Sequence, residues 1–237
     1  ILTDLTSAEI LKYAANTMLA ARVSLVNEFA RICSVIGGNI NDVTKGLAMD
    51  PRIGQHFLAP GPGWGGSCFP KDVQAIDYLS KENGLDLPMI SSLTSSNYST
   101  QTFITKEVAG LASKLFQKHI GIWGLTFKAG TDDLRDSPAI AIVDNLARLG
   151  FDLHVFDPTV RLSYEGKPES VHVHESADAV LRESKLLVVL TEWPEFGNFV
   201  PERSCEGLTV FDTRLVLDKT SWLRAGAKAV SFGAVYK

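Results

Sequence analysis

Apolar residues recur at steps of three and four through Leu11, Ala14, Met18, Ala21, Leu25, Phe29, Ile32 and Ile36, the period of one face of an α-helix. Thr6 and Glu9 form a T-x-x-E capping box upstream, and Gly37-Gly38 ends the run, so the pattern predicts a long first helix. A short helix is expected from about residue 39 to 46, then a turn at Asp50-Pro51 and an apolar, glycine-rich loop over 57–68. Pro70 suits the first position of a helix, which predicts one over 70–82, stopped at Asn83-Gly84. Over 88–117 the positions Ile90, Leu93, Asn97, Ile104, Val108, Leu111 and Leu115 are again helical, although a Ser/Thr-rich middle weakens the continuity.

Beyond Lys118 the texture changes. Short runs rich in Val, Ile and Leu at 120–125, 153–156, 171–173, 186–190, 208–211 and 227–230 alternate with helical stretches, the first opened by Ser137-Pro138. Strand, helix and strand repeated in this way predict a parallel, doubly wound sheet that binds ligands at its strand C-terminal ends. The expected fold is α/β overall. An all-helical domain over 1–117 ends in a long connecting helix and joins a Rossmann-like doubly wound domain over 118–237.

Composition narrows the function without choosing it. With 45% hydrophobic and 21% charged residues the chain belongs with globular proteins rather than disordered ones. A formal net charge of −4 offers no global attraction to nucleic acid or an anionic membrane, so an anionic ligand must be caught by local charges. No run reaches the roughly 18 apolar residues of a membrane span, and no signal-peptide pattern opens the chain. Cys33, Cys68 and Cys205 make neither a disulfide framework nor a zinc spacing and suit the reducing cytoplasm. The histidines show no ligand spacing either; His172 and His174 read as alternate positions of a strand, and no metal is expected. The chain opens on Ile1, close to a capped helix, as if cut from something longer.

Cys68 is the position where chemistry concentrates. It follows Gly61, Gly63, Gly65, Gly66 and Ser67 and precedes a helix whose first turn carries Lys71 and Asp72. Free amide N–H groups at a helix start, together with a neighbouring lysine, favour the thiolate, which is a nucleophile. Glycines in such a loop let the backbone approach a ligand, and Asp72 is placed to orient or deprotonate a water. Cys33 and Cys205 read as structural. Lys12 and Asn16, at i and i+4, share a helix face and offer an ammonium and an amide to a developing oxyanion; taken alone they fit an ordinary solvated face better. Gly121-x-x-Gly124 is not a G-x-G-x-x-G fingerprint and Asp157 reads as a turn residue beside Pro158, which disfavours a dinucleotide site in the second domain.

The run Gly63-Trp64-Gly65-Gly66-Ser67-Cys68-Phe69-Pro70-Lys71-Asp72 resembles the nucleotide-sugar dehydrogenases, and among them the UDP-glucose 6-dehydrogenase branch. Glu9 to Asn16, Asp50-Pro51-Arg52-Ile53-Gly54, Gly124 to Lys128, Thr131 to Pro138 and Asp212-Thr213-Arg214 follow in the family's order. The resemblance implies a helical central and dimerisation domain followed by a UDP-binding domain. The family's N-terminal NAD-binding domain, which holds the main NAD site, is not represented. Trp64 stands where relatives more often carry Phe or Tyr, and Thr213 where Gly is common.

The resemblance also implies a chemistry. The family oxidises the C6 alcohol of its sugar to an acid by two hydride transfers to NAD, through a thiohemiacetal and a thioester on the cysteine. Cys68 becomes the nucleophile, Lys12 and Asn16 stabilise oxyanions, and Asp72 handles water and protons. Phe57, Leu58, Gly61, Gly63, Trp64 and Gly65 line the UDP-sugar pocket, Phe127, Lys128 and Arg214 hold substrate, and Arg52 reaches in from the partner subunit of a homodimer or higher homo-oligomer. Cys68, Lys71 and Arg135 touch NAD. Phe69 and Lys71 favour UDP-glucose over a UDP-N-acetylhexosamine, with GDP-mannose as the second candidate. Two further readings are a sugar-nucleotide-binding and dimerisation module without catalysis, and a two-electron hydroxyacid dehydrogenase, which leaves Cys68 without a role.

Overall fold

A computed structural model describes residues 1–161, 163–201 and 204–234. Helix α1 (Leu5–Ile36) opens at Asp4, whose Oδ1 accepts from the Ser7 N–H at 2.9 Å. The predicted Thr6/Glu9 box is therefore displaced by two residues: Asp4 is extended and reaches a free amide, while Thr6 already lies inside the helix. Gly37 closes α1 in the left-handed conformation, at φ 85°. Helices α2 (Ile40–Ala48), α3 (Phe69–Glu82) and α4 (Pro88–Lys114) complete the helical part, with α1 packed against α3 and α4.

Two helices are read differently by structure and pattern. On α1 the apolar stripe Leu11, Met18, Leu25, Phe29, Ile32 and Ile36 is exposed, and the face turned inward carries Thr17, Ala20, Ser24, Asn27, Ala30 and Cys33. On α4 the Ser/Thr-rich middle does not interrupt the helix. Asn97, Thr100, Gln101 and Thr105 lie on its buried face, and the two threonine hydroxyls donate to carbonyls one turn back.

The remaining elements are β1 (His119–Trp123), α5 (Pro138–Arg148), β2 (Asp152–Phe156), β3 (Val171–Val173), α6 (Ala177–Glu183), β4 (Leu186–Val189), α7 (Pro194–Gly197), β5 (Thr209–Asp212), α8 (Lys219–Arg224) and β6 (Lys228–Ser231). The six strands form one parallel sheet in the order β3-β2-β1-β4-β5-β6, with the order reversing between β1 and β4. The strand ends at that reversal are where a doubly wound sheet receives a ligand.

One face of the sheet, with Ile120, Ile122, Leu153, Val155, Leu186 and Val188, packs in a continuous core with Ile104 and Val108 of α4, Ile142 of α5 and Ala30 and Cys33 of α1. The other face gathers Trp123, Leu187, Val189 and Val210 with Phe196 and Trp222. His172 and His174 alternate along the β3 edge as predicted, and with His119 and His154 they make a row on this second face. His119 Nδ1 lies 3.1 Å from His154 Nε2, and His154 Nδ1 lies 3.0 Å from His174 Nε2.

Candidate active site

Packing of α1 on α3 brings the sequence-distant candidates together. Cys68 occupies the N-cap position of α3 with its side chain exposed, while Cys33 and Cys205 are buried. One turn into α3, the Asp72 carboxylate is 2% exposed and turned toward α1. Lys12 Nζ donates to Asp72 Oδ2 at 2.6 Å, Asn16 Nδ2 donates to the same oxygen, and Lys71 Nζ stands 3.4 Å from Oδ1. Burial alone pushes the Asp72 carboxyl upward, but the hydrogen bonds from Lys12, Asn16 and Lys71 outweigh it and hold it below the usual carboxylate range. The hydrogen bond to Asp72 in turn raises Lys12. The charge of Cys68 favours the protonated forms of both Lys12 and Arg135, so the sulfur lies within electrostatic reach of both cations.

The loop leading to Cys68 is fastened from three sides. The Gly61 N–H donates to Asn27 Oδ1 at 2.9 Å, and Trp64 exchanges two bonds with Asn97, its N–H donating to Oδ1 and its carbonyl accepting from Nδ2, each at 2.9 Å. Trp64 Nε1 donates to Ser24 Oγ at 2.8 Å, which seats the ring in the helical core beside Ala20, Val73 and Leu93. The Gly66 N–H donates to the Arg135 carbonyl at 3.0 Å. A Cβ on Gly65 would overlap the Asp136 carbonyl, and one on Gly66 would meet the Phe127 ring at 2.7 Å. The close approach that demands glycine here is to the protein's own sheet segment rather than to a ligand.

Arg214, at the end of β5, joins sheet and loop. Its Nε donates to the Leu190 carbonyl at 2.9 Å and lies 3.1 Å from Glu192 Oε2, its Nη2 donates to the Phe127 carbonyl at 3.2 Å, and its guanidinium packs against Gly61. With Leu58, Pro60 and Lys45 it walls a cleft of about 330 Å³. Phe57 is half-exposed, its ring 6.5 Å from that of Phe69. Gly63 is buried and packs against Asn97.

Three expected site residues make pairings of their own. Arg52 sits on an exposed turn, paired with Asp50 at 2.6 Å. Lys128 extends over the Phe127 ring, 5.3 Å from its centre. Arg135 makes a two-pronged pair with Asp133, which drives that carboxyl down to about 2. Asp157 is more than the turn residue expected. It is buried, and its Oδ2 accepts from the Leu125 and Thr126 amides at 2.8 and 3.1 Å, bracing the end of β1. Among the described residues no group of three His, Cys, Asp or Glu is placed to hold a metal ion, and no helix is long and apolar enough to cross a membrane.

Residues 6–99 match the UDP-glucose/GDP-mannose dehydrogenase family, central domain, and residues 121–219 match the UDP binding domain of the same family. The chain belongs to the UDP-glucose/GDP-mannose dehydrogenase family. This family member is 36% identical over 242 residues to the UDP-glucose 6-dehydrogenase of Rickettsia conorii, a match covering 99% of the chain and 56% of that relative. A UDP-glucose dehydrogenase structure from Pyrobaculum islandicum superposes with a TM-score of 0.83 at 27% identity, over 97% of this chain and 51% of that one. The UDP-D-ManNAc dehydrogenase of Pyrococcus horikoshii follows at 0.79 and 26%, over 98% and 53%, so the fold alone does not discriminate between sugars. The family member spans about half the length of the curated relatives it matches.

Sequence reasoning missed the residues that fix the site without touching Cys68. Asn27 and Asn97 had signals, each a polar residue on an inward helix face, but their partners are backbone groups more than 30 residues away. Glu192 carried none beyond lying after a strand.

Proposed function

We propose that this chain supplies the catalytic cysteine and the UDP-sugar site of an NAD-dependent UDP-glucose 6-dehydrogenase, which converts the C6 alcohol of UDP-glucose to the carboxylate. The observation that carries this reading is the exposed Cys68 at a helix start, beside Lys12, Asn16 and Asp72 as an interlocked group. Exposed Lys71 and Arg135 near the sulfur fit the pyrophosphate of a dinucleotide, while the turn after β1, with Gly121-x-x-Gly124, is no G-x-G-x-x-G fingerprint, and the glycines at 61, 63 and 66 follow no strand. A dinucleotide-binding domain outside them completes the site. NAD, when bound, supplies the hydride acceptor for both oxidations.

Cys68 adds to the C6 aldehyde and holds it as a thiohemiacetal, then holds the acyl group as a thioester after the second oxidation. Lys12 and Asn16 face the oxyanion that forms at each addition to that carbon. Asp72, kept ionised by its partners, is a weak base, and its part is to orient Lys12, Asn16 and the hydrolytic water rather than to strip a proton from water unaided. Arg214 and Lys128 hold the diphosphate end, with Phe57, Leu58 and Gly61 along the path and Gly63, Trp64 and Gly65 supporting the loop from behind. The names of the curated relatives support UDP-glucose as the sugar nucleotide.

The exposed stripe of α1 supports a homodimer built on that helix, with Arg52 reaching into the partner's site. Calorimetry on the 237-residue chain is expected to show UDP-glucose bound in preference to GDP-mannose, without NAD reduction. Joined to the dinucleotide-binding domain of a relative, the chain is expected to turn over UDP-glucose, and Cys68→Ser to stop the second oxidation. Turnover of another sugar nucleotide with none of UDP-glucose would overturn the substrate; full oxidation by the Cys68 variant would overturn the mechanism.

A further inference from the structure

Behind the loop that carries Cys68, a cavity of about 220 Å³ opens between α3, α4 and α5. At roughly 30 Å³ per water it has room for about seven waters. Two of its polar groups lack partners. Gln101 is 5% exposed and lines the cavity, and its side-chain amide makes no hydrogen bond within the described residues, while its backbone carbonyl accepts from the Thr105 hydroxyl. Asp144 Oδ1, on α5, is buried with no hydrogen-bond partner. Burial raises the Asp144 carboxyl, with only Arg148 acting against it. Buried polar groups in folded proteins are paired as a rule, so Asp144 Oδ1 calls for a partner, and the Gln101 amide, open to the cavity, offers that partner a second contact.

The lining selects the kind of partner. It carries two carboxylates, Asp144 inside and Asp136 at the exposed rim, and no Lys, Arg or His. Phosphate is therefore repelled, which separates this cavity from the cleft beside Arg214. Trp64 and Tyr98 add aromatic walls, which attract cations. We infer that this cavity binds a small organic cation, an alkylammonium whose N–H groups meet Asp144 and the Gln101 amide oxygen while its carbons lie against Trp64. Asn97, which clamps the backbone of Trp64, lines the same cavity. An occupant thus rests on the support of the loop that ends in Cys68.

The test is calorimetric titration of 1,4-diaminobutane into the 237-residue chain, with sodium chloride at matched ionic strength and 1,4-butanediol as controls. Saturable binding of the diamine alone is expected. Asp144→Asn and Gln101→Leu should each weaken it about tenfold or more, while circular dichroism is unchanged and the melting temperature is equal to or above the parent's, because an unpartnered buried group is lost. The inference is overturned if the diamine gives no more heat than the salt, if the diol binds equally well, or if both variants keep the parent affinity. Should Asp144→Asn not fold, Gln101→Leu decides alone.

Discussion

Asp72 is nearly out of contact with water yet stays ionised, because three donors reach it from two helices. His154 shows the opposite balance. Burial, reinforced by His174, His172 and His119 and opposed by Glu183, pushes its pKa from 6.5 to about 4. Between those values the unfolded chain takes up a proton that the folded chain refuses, so stability is expected to fall as pH drops from 6.5 toward 4. Asp72 adds a second loss below 3.8, as its carboxylate is protonated out of its pairing. Urea midpoints measured against pH check both, and His154→Gln should flatten only the upper window. At the sulfur, iodoacetamide should modify Cys68 faster than Cys33 or Cys205 by an order of magnitude or more at neutral pH, since the latter two are buried. Mass spectrometry of the folded chain measures it, and equal rates would count against a site at Cys68.

Among the elements, the glycine loop is the one whose sequence is most constrained by its surroundings. Gly65→Ala drives a methyl into the Asp136 carbonyl and should cost about 1–3 kcal/mol. Gly46→Ala, inside α2 with no atom near the added carbon, should instead stabilise by up to about 1 kcal/mol. Denaturant titration of the two variants side by side checks the contrast. The strands were legible in the sequence, since runs of Val, Ile and Leu buried on both faces leave little choice; observed ends lie within two residues of the expected ones, and those of β3 coincide with them. The Lys12/Asn16 pair was legible from its four-residue spacing. Its partner was not, because Asp72 joins it through a helix crossing that spans 60 residues of sequence. The periodic stripe of α1 was legible as helix but not as surface. Periodicity marks a common face without saying which way that face points, and here Ser24 and Asn27 turn inward because the loop needs their oxygens.

At the scale of the whole molecule, α1 and α4 share one core with the sheet, so the helical part and the strands brace each other. What this core leaves uncovered is the α1 stripe, on which Leu11, Met18, Leu25 and Ile32 repeat at the seven-residue spacing of a helix-pairing seam. Sedimentation should show a dimer for the parent chain and a monomer for the Leu25→Glu, Ile32→Glu double variant, with the helical circular dichroism retained. A double variant that still sediments as a dimer would place the contact elsewhere. The tethering of Gly61, Trp64 and Gly66 by their own amides has a thermodynamic consequence. Those hydrogens should exchange with deuterium nearly as slowly as the central strands do. A thiol held in this way is set at folding, so a ligand's arrival forfeits little affinity to freezing the peptide around it.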